Sequence, residues 1–235
     1  GFKINPFNKL ITGVKNLLNN YDEIEKKRSD LDFDISRGED EVMRSFMERC
    51  IDVTDNYTML RTQYRMPQLI GRLISSVFYN RKLKHGTKHE IDCIKWIHHE
   101  HGEDKLELGI TSKSNKNEAQ QLRKTYYELI KKFPNKNVLI TSFYKRQVHL
   151  LQNMIQWREQ DRIVTVDSCQ GTEADIVLIS CVRSNKYNGV GFTKHPNRLN
   201  VALSRPKFKC ILFGNRRTFE NSTSTIWKRI LHFIH

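Results

Sequence analysis

Three short apolar runs between Arg162 and Asn215 constrain this chain more than anything else in it. Ile163–Val166, Ile176–Cys181 and Cys210–Phe213 are rich in β-branched or aromatic residues and are bounded by Gly, Asp, Asn or Ser. Runs of that length, apolar on both faces, read as buried strands of a parallel sheet, which requires helices on each side. Between them lie two polar segments, DSCQGTEAD and RLNVALSRPK, that no hydrophobic core requires. Acid, amide and guanidinium groups beside strand ends are the usual equipment for holding a nucleotide at the edge of an α/β sheet. Following Ile163–Val166, the Gln170–Glu173 segment is expected at a carboxyl strand end. Arg198 and Arg205, seven residues apart, are expected on one face of a single helix.

The polar segments carry a resemblance. Val166-Asp167-Ser168-Cys169-Gln170-Gly171-Thr172-Glu173 is similar to the VDxFQGxE motif of superfamily 1 helicases, in the branch that contains the Upf1-like and Dna2-like enzymes. Arg198 to Arg205, RLNVALSR, resembles the RxNVALTR motif of the same family. GVGF at 189–192 and FGN at 213–215 fall in family order. Upstream, Leu60 to Met66, LRTQYRM, is similar to the LxxQYRM motif, followed here by Pro67-Gln68 where relatives carry His-Pro. Further matches are looser. Met47-Glu48-Arg49 resembles a short helix end, and SNKNEA at 114–119 a compressed S-x-x-N-x-x-EA. Ser142 to Gln147 resembles TPYxxQ, and Ser76 to Leu83 resembles SxxFYxGxL with Arg81 in the glycine position.

Charge points the same way. The chain carries 40 Lys and Arg against 26 Asp and Glu, a formal net charge of +14. Such a field favours polyanions, of which nucleic acid is the commonest, although a solubilising surface is the plain alternative. The 235 residues suffice for a sizeable core. The five cysteines form no CxxC pair and four lie in or beside apolar runs, so buried free thiols in a reducing compartment are expected. No stretch approaches the roughly 20 apolar residues of a membrane span, and no membrane partner is expected. His98, His99 and His101 lack a second ligand cluster at a recognised spacing, so no metal site is assigned to them.

Helical periodicity marks a face at Val42, Met43, Phe46 and Met47, another at Ile70, Leu73, Ile74, Val77 and Phe78, and a helix over 118–132 stopped by Phe133-Pro134. Val138–Thr141 and residues 91–97 read as strands, and a helix carrying Val148, Leu151 and Ile155 follows the first. Ile226–Phe233 reads as a closing helix with Trp227, Ile230 and Leu231 inward. Arg216 and Arg217 are expected in a loop.

The resemblance implies an α/β, RecA-like P-loop NTPase fold of the second motor domain, a parallel sheet of about five strands with helices on both faces. It divides the chain into an N-terminal linker or helical extension, 1–55, and the motor domain, 56–235. It implies that Arg65 and Arg205 reach the phosphates of ATP as catalytic groups. Gln63, Tyr64, Gln170, Gly171 and Glu173 are then nucleotide contacts, Tyr64 on the adenine and Glu173 on the ribose. Three have a local alternative, Tyr64 packing at a helix start, Arg65 holding a local carboxylate and Glu173 as a helix-start carboxylate. The 235 residues contain no GxxxxGK[ST] loop and no Asp-Glu pair after an apolar strand. In the family a first RecA-like domain supplies them, together with the Mg²⁺ ligands, so this segment alone is expected to be inactive. Single-stranded RNA or DNA is the implied partner, with that first domain, and cytoplasm or nucleus the implied location. The competing reading is a non-catalytic nucleic-acid-binding or partner-docking module on a degenerate helicase fold. The retained arginines favour the motor.

Overall fold

A computed structural model of the protein describes residues 59–87, 92–99, 104–106 and 112–234. The expected helix at 39–50, the Met47-Glu48-Arg49 match, Cys50 and His101 lie outside them. The described elements belong to one unit, Leu60–His235.

Its centre is the five-stranded parallel sheet that the apolar runs require. β3 (Ile94–His98), β6 (Val138–Ser142), β7 (Arg162–Thr165), β8 (Ala174–Ser180) and β9 (Pro206–Gly214) lie in the order β3-β9-β8-β6-β7. All four pairings are parallel. A two-stranded parallel ladder joins β1 (Thr62–Gln63) to β2 (Lys84–His85), and β4 (Lys105–Leu106) pairs antiparallel with β5 (Lys113–Ser114).

Side chains alternate across the sheet, which is why its strands are apolar throughout. Val138, Ile140, Ile176, Leu178, Ile211 and Phe213 face one layer, where Leu122, Tyr126 and Leu151 close over them. That layer comprises α2 (Lys116–Lys132) and α3 (Lys145–Met154). Leu139, Val177, Ile179, Cys210 and Leu212 face the other, formed by α1 (Gln68–Phe78), α4 (Pro196–Leu203) and α6 (Thr225–His232). There Trp227 is fully buried and meets Trp96 and Phe219 edge-on at 5.9 and 4.6 Å between ring centroids. Edge contacts of this kind add to the burial itself. Its indole N–H donates to the Thr193 carbonyl at 3.0 Å, so the polar atom is not stranded. Local chemistry sets the helix starts. Asn115 accepts from the Glu118 N–H at 3.1 Å to cap α2, and Ser224 accepts from Trp227 N to cap α6.

Cys93, Cys169, Cys181 and Cys210 are buried free thiols. Burial pushes Cys169, Cys181 and Cys210 upward in pKa, which marks them as packing groups, not nucleophiles. Two local expectations are corrected. Arg216 and Arg217 open a short helix, α5 (Arg216–Glu220), where Arg216 pairs with Glu220 at 2.6 Å one turn on. Arg198 and Arg205 do not share a helix. α4 ends at Leu203 and Pro206 starts β9, because a proline cannot supply the helical N–H but fits the first residue of a strand.

Candidate functional site

The site is built at the amino ends of β8 and β9. Ala174 and Pro206 are register partners there, and the Ala174 N–H donates to the Arg205 carbonyl at 3.2 Å. Glu173 and Arg205, far apart in sequence, therefore stand side by side. This corrects the expectation of a carboxyl strand end. Parallel strands must all start at the same edge, so the chain leaving β7 has to return across the sheet before β8 begins. It does so through a short 3-10 turn, Asp167–Cys169, with Val166 and Cys169 buried on the α1 side of the sheet.

A tight turn completes that return. Gln170 has φ −60 and ψ 133, Gly171 has φ +82, and the Thr172 N–H donates to the Cys169 carbonyl at 3.1 Å. These are the dihedrals of a type II turn, whose third residue must take positive φ. Gln170 and Gly171 lie exposed at its tip, just before Glu173.

Arg65 reaches this edge from the LRTQYRM segment. Its Nε donates to Glu173 Oε2 at 2.8 Å and its Nη1 to the Ser204 carbonyl at 3.4 Å. Lys207, the first outward-facing residue of β9, donates to Glu173 Oε1 at 3.2 Å. Lys207 first and Arg65 second hold the Glu173 carboxyl below the usual carboxylate range. The Arg205 guanidinium is half-buried and tied down by three bonds. Nε donates to Val201 O at 2.9 Å, Nη1 to Thr172 O at 2.8 Å and Nη2 to Ser204 Oγ at 2.9 Å. Burial, and then the charge of Arg65, pull its pKa down from the ordinary arginine value, although it stays a cation. Two guanidinium groups thus repel across one small edge with a single carboxylate between Arg65 and Lys207. An arriving anion relieves that repulsion.

Gln63 is bonded within its own turn. Its Oε1 accepts the N–H groups of Arg65 at 2.9 Å and Met66 at 2.8 Å, while its Nε2 donates to the Met66 carbonyl at 3.0 Å. The amide shapes the turn that presents Tyr64 and Arg65. Tyr64 is 76% exposed, and its ring lies across Gly86, where an added Cβ would stand 2.2 Å from a ring carbon. The Gly86 N–H donates to the Gln63 carbonyl at 2.9 Å, which fixes that approach. Gly86 and Lys207 were not singled out by sequence. A lone glycine after a polar pair and a lysine in an alternating strand carry no motif, and only the fold gives them neighbours. Asp167 holds Arg198 at 3.0 Å.

The carboxyl ends of β6 and β8 carry a second polar cluster. Glu118, fully buried, accepts from the Ser180 hydroxyl, from Val182 N at 3.0 Å, and lies 3.1 Å from His99 Nε2. Gln147 accepts from Asn115 N at 2.8 Å and donates to Ser180 Oγ at 3.0 Å, and Ser142 Oγ donates to Ser180 O at 2.9 Å. Val182 sits at φ +69, an unusual backbone for a β-branched residue. Beside it, Arg183 stands 2.9 Å from Asp104 and 3.5 Å from the Tyr144 hydroxyl. His98 accepts from the Arg216 N–H at 3.0 Å.

Comparison with known proteins is consistent across the chain. The family described as AAA domain (AAA_12) matches residues 42–217. The regulator of nonsense transcripts 1 homolog of Drosophila melanogaster is 31% identical over 212 residues, covering 81% of this chain and 18% of its own length. ATP-dependent helicase NAM7 of Saccharomyces cerevisiae is 28% identical over 215 residues, covering 81% of this chain and 22% of its own length. The chain spans about a fifth of these relatives. Among the described residues no helix is long and apolar enough to cross a membrane.

Proposed function

The chain belongs to the AAA-domain family, as a Upf1-like superfamily 1 helicase domain with a RecA-like fold, and from that premise we propose that its amino-edge cluster is one half of an ATP site shared with a second motor domain. The observation that carries this reading is the convergence of Arg65, Glu173 and Arg205, from three separate motifs, on the amino ends of β8 and β9.

The residues present fit an adenine nucleotide. Arg65 and Arg205 offer charge-assisted donors to the phosphates. As negative charge spreads over the transferring phosphoryl group, fixed guanidinium groups stabilise it without reorganising, and the three bonds on Arg205 hold it ready. Glu173 accepts from a ribose hydroxyl once Arg65 turns to phosphate. Tyr64 offers an exposed ring for the adenine face. The phosphate loop, the Mg²⁺ ligands and the base that activates water belong, on this reading, to the first RecA-like domain. This segment by itself is therefore inactive.

In the intact protein, closure of the two domains on ATP and reopening after hydrolysis would move the carboxyl edge along a nucleic-acid strand. The strained, hydrogen-bonded segment at Val182 and the start of α3 give that edge a rigid surface, and the +14 charge supports a polyanionic track.

The test is ATP hydrolysis by the intact protein with and without single-stranded RNA and DNA, beside its Arg205→Ala form. Stimulation by one polymer, abolished by the substitution, supports the motor and names its track. A folded protein that hydrolyses no ATP with either polymer sinks it, in favour of a binding module.

A further inference from the structure

A basic groove lies between α1 and α6, and none of its lining residues belongs to the amino-edge cluster. Its cavity measures about 950 Å³ and is lined by Leu69, Ser76, Asn80, Arg81, Lys228, Arg229, His232 and Phe233. Arg81, Lys228 and Arg229 bring three cations to it, and no carboxylate stands in its lining. Lys228 and His232 are four residues apart on α6 and share its exposed face. Arg229 crosses the groove to donate to the Ser76 carbonyl on α1, which fixes its guanidinium in the wall.

The backbone that presents Arg81 is the second observation. Asn80 and Arg81 both have left-handed dihedrals, φ 48 and 62, and Arg81 N donates to Ser75 O at 2.8 Å. This is the position where the SxxFYxGxL pattern places glycine, and left-handed φ is the reason a glycine suits it. The chain keeps the glycine conformation and installs a guanidinium there. A strained residue retained against the local preference points to a use for its side chain.

We propose that this groove is an accessory binding site for the sugar-phosphate backbone of single-stranded nucleic acid, in addition to the track at the carboxyl edge. The three cations take phosphates, with guanidinium forks suited to paired phosphate oxygens. Phe233, half-buried beside His232 at 6.1 Å between ring centroids, supplies the apolar contact for a base. Phosphate contacts carry no sequence information, so the site takes RNA and DNA alike.

The experiment measures binding of fluorescein-labelled oligo-U and oligo-dT, about twenty nucleotides long, to the full chain and to its Arg81→Gly, Lys228→Ala double variant, over a range of salt. Both substitutions are exposed, and glycine suits the backbone at 81, so the variant keeps its fold and its melting temperature reports this. The expected result is roughly tenfold weaker binding of both oligonucleotides at low salt. The slope of log affinity against log salt should fall by about 1.4, the value for two lost phosphate contacts on a single strand. Unchanged affinity and slope would overturn the proposal, as would a variant that loses polyglutamate binding while keeping the oligonucleotides. Basal ATP hydrolysis by the intact protein, measured on the same variant, separates this proposal from the motor reading. Hydrolysis retained with oligonucleotide binding unaffected removes only the groove.

Discussion

Arg65 Nε lies 2.8 Å from Glu173 Oε2, so a group assigned to phosphate and a group assigned to ribose hold each other. The pair is more than a third exposed on both sides, and an exposed ion pair contributes little to stability. Its meaning is positional. It holds the guanidinium at the amino edge, beside the Ser204 carbonyl.

Glu173→Gln should therefore leave stability within about 0.5 kcal/mol of the parent. In the intact protein it should raise KM for ATP roughly tenfold with little change in kcat, since the ribose contact is equal in ground and transition states. Steady-state kinetics with urea denaturation beside them check both halves. A large fall in kcat at constant KM would place Glu173 in the chemistry instead.

Arg205→Ala should show the opposite split. Loss of a phosphate-directed arginine lowers kcat by about three powers of ten or more. The three internal bonds of Arg205 disappear as well, so a stability loss of about 1–3 kcal/mol accompanies it. Arg205→Lys, which restores charge and one bond, should recover much of the stability and little of kcat. Single-turnover hydrolysis and thermal melts separate the two.

Gly86 and Gly171 fail differently when substituted. At Gly86 a methyl group collides with the Tyr64 ring, so Gly86→Ala displaces the ring and should weaken nucleotide binding several-fold without unfolding anything. At Gly171 nothing lies within 4 Å of an added Cβ, and only the φ of +82 opposes it. Gly171→Ala should cost about 1–2 kcal/mol, and Gly171→Asn less, because asparagine tolerates left-handed backbone. Equilibrium unfolding and titration with a fluorescent ATP analogue give the comparison.

A pH effect is expected far from the site. Tyr126 is buried and its hydroxyl donates to Asp161 Oδ2 at 2.7 Å. Burial first, and that bond second, push its pKa up to about 12. An acid whose folded pKa is raised keeps its full contribution below the unfolded value near 10. It loses that contribution as pH climbs toward 12, since the unfolded phenol ionises first. Stability should fall by roughly 2–3 kcal/mol across that window. Tyr126→Phe should start less stable and lose that part of the slope, read from urea midpoints at closely spaced alkaline pH.

Much of this molecule was legible in its residues. Ile176–Cys181 and Val138–Thr141 read as buried strands because both faces are apolar, and β8 and β6 formed there. The stripes Ile70 to Val77 and Trp227 to Leu231 became the inner faces of α1 and α6. The motif residues Arg65, Glu173 and Arg205 were named from the family resemblance, while the carboxyl strand end expected for Glu173 proved to be the amino end of β8.

Local sequence determined most of the elements and the positively charged character, because periodicity, turn chemistry and charge are properties of neighbours along the chain. Tertiary structure alone decided that Glu173 meets Arg65 and Lys207, that Gln63 bonds within its own turn, and that Gly86 supports Tyr64. Those outcomes follow from strand order and direction. Parallel pairing of β8 with β9 sends their starts to one edge, and no window of sequence contains residues 65, 173 and 207 together.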